Sequence, residues 1–366
     1  MTRRRLPLLS ALALAACVAA APAAGQAQTG SAEGWTPPRT PDGRPDLQGR
    51  WTMATYTPFE RPEMYGDRAL LTEEEAAELR SLLTAEGTDP LAFGIFGEAD
   101  PERRRQRAIQ TQENIHYDNA IWLTEERPKG LSTRRTSLLV DPPDGRLPPL
   151  TPTAQERENA RLAARRFPPS ELPDPTYNSY EARTLSERCI VWPHEGPPML
   201  PPVYNDVLQI FQTPDHVVIF QEMSNNNPRI VPLDGRPHLP PAIRLWPGDS
   251  RGRWEGDTLV IETTNFSPKA RYHRYFRFRG ASTALRVVER FTPVDAETIR
   301  YEFTVEDPTS WISAWRAEFP MLRTDELMFE YACHEGNRDM ENILSIARNL
   351  ERQAAERAAA EEGGTR

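Results

Sequence analysis

The segment IRYEFTV, residues 299–305, decides the fold class. Its apolar and polar residues alternate, so Tyr301, Phe303 and Val305 share one face of an extended chain. The segment WRAEFPM, residues 315–321, alternates in the same way. A period of two is typical of a β-strand with one face in a core and the other in water. We therefore expect antiparallel strands in this part of the chain.

Similar segments, separated by turn residues, indicate further strands on the N-terminal side. Residues 137–146 are also predicted to form a hairpin around the turn PDGR. Strands at intervals of roughly 8–15 residues favour an antiparallel β-barrel, with a β-sandwich as the second choice. The fold class is thus mainly β with a helical insertion, α+β. The predicted strands are 46–56, 207–213, 217–222, 229–233, 258–266, 275–279, 285–291, 298–306 and 314–321.

Helices are predicted in the insertion and at the C-terminal end of the chain. Thr72 and Glu75 form a capping box, which indicates the start of a first helix. Proline at a first helical position indicates that two more helices begin at Pro101 and Pro152. A terminal helix is expected over 337–361.

These elements predict one folded domain. Residues 1–28 are a predicted signal peptide, and residues 29–45 are a flexible leader. A single β-barrel domain, residues 46–336, follows and contains the helical insertion at about 70–170. Residues 337–366 are the C-terminal helix and tail.

The composition excludes several classes of protein. The chain has 36 prolines in 366 residues, roughly twice the usual share. Proline breaks helix interiors and central strands, which argues against a helical bundle. The prolines follow no Gly-X-Y period, which excludes collagen. The net charge is −9 and no basic stretch is interleaved with aromatic residues, so we expect no nucleic-acid partner.

The N-terminal segment predicts export. Three arginines at 3–5 precede an apolar stretch, Leu6–Ala16, that is too short to span a bilayer, and small-residue cleavage sites follow. The segment LAAC, which ends at Cys17, fits a lipoprotein box, and residues 2–6 loosely fit a twin-arginine pattern. The expected location is periplasmic or attached to the outer membrane. Membrane contact is expected only through lipidation of Cys17.

Two cysteines, Cys189 and Cys333, remain after the signal peptide. In an oxidising compartment an isolated pair is most simply a disulfide, and two buried free thiols are the alternative. Each cysteine shortly precedes a His-Glu-Gly sequence. A disulfide holds its Cα atoms about 5.5 Å apart, and five residues span at most about 17 Å. The bridge is therefore expected to bring two His-Glu pairs into one neighbourhood.

The two pairs are the predicted catalytic residues, His194 with Glu195 and His334 with Glu335. Histidine titrates near neutral pH, so these side chains suit general acid and base catalysis. The structural alternative is that His334 and Glu335 cap the terminal helix and that His194 packs in a proline-rich loop. No ligand spacing supports a metal site, so no metal ligands are predicted, although a divalent metal stays an alternative.

A second set of residues is predicted to bind a ligand. Arg236 and His238 lie on a proline-stiffened loop, where they suit an anionic or carbonyl-bearing molecule. The alternative is a rigid turn in which Asp234 pairs with Arg236. Asn337, which follows the second His-Glu-Gly, completes this set.

Charged residues also interrupt the apolar strands. On an antiparallel sheet such side chains usually face water. One that points into a barrel is costly unless it is paired, and would therefore suggest function. These residues are Glu222, Glu262, Glu289 and Arg290.

Several longer motifs together cover most of the chain after the signal peptide. They are PDLQGRW (45–51), RTSLLVDPPDGR (135–146), GPPMLPP (196–202), QTPDHVVIF (212–220), DGRPHLPP (234–241), SRGRWEGDTLVIETTNF (250–266) and EYACHEGN (330–337). Through these motifs the chain resembles a large family of exported bacterial proteins. The resemblance implies export and supplies no reaction. Gly49 and Trp51 at the start of a strand, with a meander around Trp254, also resemble lipocalin-like barrels.

The leading functional hypothesis is an exported barrel protein that acts on a small molecule. No nucleophile elbow, P-loop, dinucleotide fingerprint or CxxC motif occurs, so we expect no organic cofactor. The reaction expected is that of a lyase, isomerase or hydrolase. A periplasmic carrier or sensor of an apolar small molecule is the alternative. A third hypothesis, an envelope scaffold, predicts a filled barrel and an exposed apolar patch.

Overall fold

The protein is described here by a computed structural model, in which residues 31–366 form one compact unit. The predicted signal peptide and the predicted strand 275–279 lie outside the residues that the structure describes. No helix among the described residues is long and apolar enough to cross a membrane. The described residues are 35–83, 98, 100–108, 133–164, 177–192, 194–202, 205–224, 227–268 and 282–363.

The described strands form a nearly closed antiparallel barrel, which confirms the predicted fold class. Nine of them follow one another around it in the order β5-β4-β3-β1-β10-β9-β8-β7-β6, and β2 pairs with β10. The strands are β1 Gly49–Thr52, β2 Leu139–Asp141, β3 Val207–Gln212, β4 His216–Gln221, β5 Arg229–Pro232, β6 Asp249–Glu255, β7 Thr258–Thr264, β8 Arg286–Pro293, β9 Thr298–Glu306 and β10 Trp315–Arg323.

The apolar side chains whose alternation predicts the strands also fill the interior of the barrel. Every second residue of β8, β9 and β10 is buried. The Tyr301 ring packs 4.9 Å from Phe291 and 5.1 Å from Phe319, measured between ring centroids. Trp51 and Trp315 are also fully buried. Each such side chain contributes about 1.5–3 kcal/mol through burial.

Two details of the predicted strands are wrong. Residues 137–146 do not form a hairpin: the turn at Gly145 is present, but β2 pairs with β10, where Leu139 lies opposite Ala317. Strand β6 was not predicted, because its sequence DSRGRWE holds Trp254 as its only large apolar side chain. It pairs with β7 along its whole length, so backbone hydrogen bonds place it in the sheet although its side chains show no apolar alternation.

Four α-helices are described, and the capping box is confirmed. Thr72 N–H donates to Glu75 Oε2 at 2.8 Å, and Glu75 N–H donates to Thr72 Oγ1 at 3.1 Å. Leu79 and Leu83 of the first helix pack in a small cluster of their own, outside the barrel core. The helices are α1 Glu73–Leu83, α2 Pro101–Ala108, α3 Pro152–Ala164 and α4 Asp339–Gly363.

The barrel has a seam between β5 and β6, the two ends of the sheet order. A Cβ atom on Gly252 of β6 would lie 2.6 Å from Leu233 Cδ2 and 2.9 Å from Val231 Cγ1. Glycine at this position therefore lets the two strands approach closely. We call the end of the barrel where β4 ends and β5 and β6 begin the lower end.

Candidate active site

A short segment closes the lower end of the barrel. This closing loop consists of residues 189–192 and 194–200. Met199 and Leu200 belong to the hydrophobic core, and Met199 N–H donates to the Tyr301 hydroxyl at 2.9 Å. Cys189 and Cys333 form a disulfide with Cα atoms 5.7 Å apart, which confirms the predicted pairing. The loop is thus anchored at one end in the core and at the other by a covalent bond.

His194 is buried in the closing loop, with 7% of its surface exposed. Its Nε2 lies 2.9 Å from the backbone oxygen of Glu222. A carbonyl oxygen only accepts hydrogen bonds, so Nε2 carries the proton and the lone pair of the neutral ring is on Nδ1. Among the described residues Nδ1 has no hydrogen-bond partner. Burial lowers the pKa of His194 to about 4, so the ring is neutral at pH 7.

The pKa of the next residue in the chain, Glu195, is shifted in the opposite direction. Trp192 N–H donates to Oε1 at 2.6 Å, and within the described part of the chain Oε2 has no partner. Burial raises the pKa of Glu195 to about 8, although the bond from Trp192 N–H acts to lower it. Glu195 is therefore a protonated acid beside a neutral base at neutral pH. Paired groups with pKa values pushed apart are typical of acid/base sites.

Residues at and after the end of β4 form hydrogen bonds with the closing loop. Gln221 Nε2 and His194 O are 3.1 Å apart, and Asn227 Nδ2 donates to Ile190 O at 3.3 Å. Ser224 is 3% exposed. Neither its hydroxyl nor the buried indole N–H of Trp192 has a hydrogen-bond partner among the residues described.

A buried ion pair lies inside the barrel above this loop. Glu289 of β8 is fully buried and forms a two-point pair with Arg229 of β5, with 3.0 Å between Arg229 Nη1 and Glu289 Oε1. Arg229 also donates to Ser250 of β6 at 3.2 Å and to Thr263 of β7 at 3.1 Å. This guanidinium therefore spans the seam between β5 and β6.

Tyr301 connects the ion pair to the closing loop. Its hydroxyl donates to Glu289 Oε1 at 2.6 Å and accepts the N–H of Met199. Burial raises the pKa of Tyr301 well above its usual value, and the adjacent carboxylate of Glu289 adds to the shift. The phenol thus stays protonated and holds the loop to the barrel wall.

The second predicted His-Glu pair is placed differently. His334 and Glu335 are exposed, and only their backbone atoms form hydrogen bonds with described residues. No hydrogen bond or ion pair among the described residues joins them to His194 or Glu195. Asn337 Nδ2 donates to Cys189 Sγ at 3.1 Å, so its amide stabilises the disulfide region.

The predicted ligand-binding loop holds its side chains in local pairs. Arg236 is exposed and pairs with Asp234, with 2.9 Å between Arg236 Nε and Asp234 Oδ1, as in the rigid-turn alternative. The ring of His238 lies between two carboxylates, with Nδ1 2.9 Å from Asp249 and Nε2 3.5 Å from Glu262. This pairing orients His238 on the outer face of β6 and β7.

Sequence reasoning named Glu289 but missed its partner. A signal was present, because the alternation of β5 places Arg229 on the same face as the core residue Val231. The described residues contain no group of three or more metal-binding side chains arranged to hold a metal ion.

Neither family models nor curated proteins nor solved structures match the chain. The resemblances to a family of exported bacterial proteins and to lipocalin-like barrels therefore stay predictions.

Proposed function

We propose that the protein is an exported enzyme that acts on a small molecule at the closing loop, with His194 as general base and Glu195 as general acid. The observation that carries the proposal is the bond between His194 Nε2 and the Glu222 carbonyl, because among the described residues it leaves Nδ1 as an unpaired proton acceptor. The next residue supplies a carboxyl group, one oxygen of which has no partner in the described part of the chain. The disulfide supports export, since such bonds persist in oxidising compartments.

The chemistry follows from the two protonation states. Nδ1 of His194 accepts a proton from the substrate, and Glu195 donates one to a second atom of it. Both groups are in the required state between pH about 4 and about 8. The two side chains then return to their starting states by exchange with water. Isomerisation and elimination need only this pair of proton transfers.

The free energy of unfolding tests the two protonation states without a known substrate. Glu195 has its pKa raised in the folded state, so its contribution is full below pH 4.5 and is lost as the pH rises towards 8. His194 has its pKa lowered, so its contribution is full above pH 6.5 and is lost as the pH falls towards 4. We expect Glu195→Gln to remove the loss of stability towards pH 8. We expect His194→Gln to remove the loss of stability towards pH 4. The slope removed is at most about 1.4 kcal/mol per pH unit.

Glu335→Gln is the matched control, because Glu335 stands in the other His-Glu pair and is exposed. Denaturant titrations at several pH values should give wild-type slopes for this variant. If Glu195→Gln and Glu335→Gln leave the same pH dependence as the wild type, Glu195 is an ordinary carboxylate and the proposed acid is wrong.

A further inference from the structure

A groove opens beside the disulfide, between the segment 177–192 and the first two turns of α4. Its volume is about 410 Å³, which is enough for a small molecule. Ile190, which follows Cys189 directly, lines it, so the groove adjoins the closing loop, whereas His194 and Glu195 do not line it. The lining residues are Tyr180, Arg188, Ile190, Met340, Glu341 and Leu344.

The walls of the groove are mostly apolar. Ile190 lies on the wall formed by the segment 177–192, and Met340 and Leu344 lie on the wall formed by α4. All three side chains are half-buried, so part of their apolar surface faces the groove. The ring of Tyr180 is 57% exposed and adds an aromatic surface. Such walls favour a ligand with an apolar body, because its burial removes apolar surface from water.

Two charged side chains of opposite sign also line the groove. Arg188 is half-buried in the segment 177–192, and Glu341 is exposed in the first turn of α4. Within the described part of the chain, neither side chain forms a hydrogen bond or an ion pair, and the two do not pair with each other. Both charges are therefore available to a molecule that enters the groove.

From this arrangement we infer that the groove binds a small zwitterion with an apolar body, the chemistry of an α-amino acid with an aromatic or aliphatic side chain. Arg188 binds the carboxylate, because a guanidinium can offer two parallel N–H groups to its two oxygens. Glu341 accepts from the ammonium group. A ligand with a negative charge alone would be repelled by Glu341, and one with a positive charge alone would be repelled by Arg188.

This site goes beyond the proposed acid/base function, because zwitterion binding needs neither His194 nor Glu195. Isothermal titration calorimetry with L-phenylalanine tests it directly, and we expect the wild type to bind this amino acid. Three related molecules should each bind at least about tenfold more weakly. N-Acetyl-L-phenylalanine lacks the ammonium charge, L-phenylalaninamide lacks the carboxylate, and glycine lacks the apolar side chain.

Removal of one protein charge should change which of these molecules binds. Arg188→Gln removes both the attraction for a carboxylate and the repulsion of a lone cation. We therefore expect it to bind L-phenylalanine about tenfold more weakly than the wild type and no better than the amide. Glu341→Gln should weaken L-phenylalanine binding similarly and bind the N-acetyl compound equally well. Arg357→Gln and Glu356→Gln are the matched controls, because they make the same charge changes on the exposed C-terminal half of α4.

A thermal denaturation scan without ligand separates lost binding from lost structure. Arg188→Gln and Glu341→Gln should keep the Tm of the wild type, because neither side chain pairs with a described residue. Absence of L-phenylalanine binding by the wild type would overturn the inference. Equal binding by the wild type, Arg188→Gln and Glu341→Gln would also overturn it.

The variants of the acid/base pair distinguish this inference from the proposed function. His194→Gln and Glu195→Gln should bind L-phenylalanine as the wild type does, because neither residue lines the groove. If they do so while their pH slopes of stability also match the wild type, the zwitterion site stands and the proposed acid/base pair fails.

Discussion

Replacing Glu289 by alanine should lower the free energy of unfolding by about 3–5 kcal/mol, the cost of breaking a buried ion pair on one side. The carboxylate is fully buried and accepts from Arg229 at both oxygens and from Tyr301. Its removal leaves a guanidinium inside the barrel that cannot lose its proton. Because Arg229 also joins β5 to β6 and β7, the seam should loosen as well. Urea titration followed by tryptophan fluorescence measures the change.

Glu255→Ala is the matched control, because Glu255 is also a strand glutamate that accepts from arginine, here Arg253 and Arg290, but on the exposed surface. Exposed pairs of this kind contribute little to stability, because water and salt screen them, so we expect a much smaller loss than in Glu289→Ala. A second control is the double variant Arg229→Met with Glu289→Leu, which leaves no unpaired charge in the barrel. It should cost less than the two single changes added together. If Glu289→Ala and Glu255→Ala lower the free energy of unfolding equally, the buried ion pair does not hold the barrel together.

The barrel was largely predictable from the sequence because most strands bury one face. The alternation over 299–305 and 315–321 predicts which side chains face the core, and the same side chains of β9 and β10 are buried in the structure. The pattern fails at β6, where Ser250 and Gly252 face inward. The residue types at these two positions follow from contacts across the seam, because Ser250 accepts from Arg229 and Gly252 leaves room for β5. Strands β5 and β6 follow each other in the chain, but a side-chain contact across an unpaired seam leaves no period in either strand.

The candidate site was predictable in part. The sequence placed His194 and Glu195 near the cysteine pair, and the bridge is present. It did not separate them from His334 and Glu335, because chain length sets only an upper limit on a distance. What distinguishes the pairs is burial, which depends on Glu222 and the core around Met199. The neutral state of His194 and the protonated state of Glu195 both follow from that burial.

Replacing both Cys189 and Cys333 by serine should lower the free energy of unfolding by about 4–5 kcal/mol. The bridge spans 144 residues of sequence, so its loss restores much conformational freedom to the unfolded chain. The native fold should persist, because Met199 and Leu200 remain in the core and Met199 still donates to Tyr301. Denaturant titration of the double variant against the wild type measures the loss.

The same variant should also change the closing loop in the folded protein. With the covalent anchor gone, the loop keeps the bond of Met199, the bonds of His194 and Ile190 and the ring contact of Trp192 with Tyr331. Hydrogen exchange at residues 190–192, 194 and 195 should therefore accelerate under native conditions by more than exchange in β9, which reports global unfolding. Glu289→Ala provides the comparison, because it loses similar stability with the disulfide intact. The contrary result is that exchange in the loop accelerates no more than exchange in β9, in the cysteine variant as in Glu289→Ala. That result would show that the disulfide acts only on the unfolded chain and does not position His194 and Glu195.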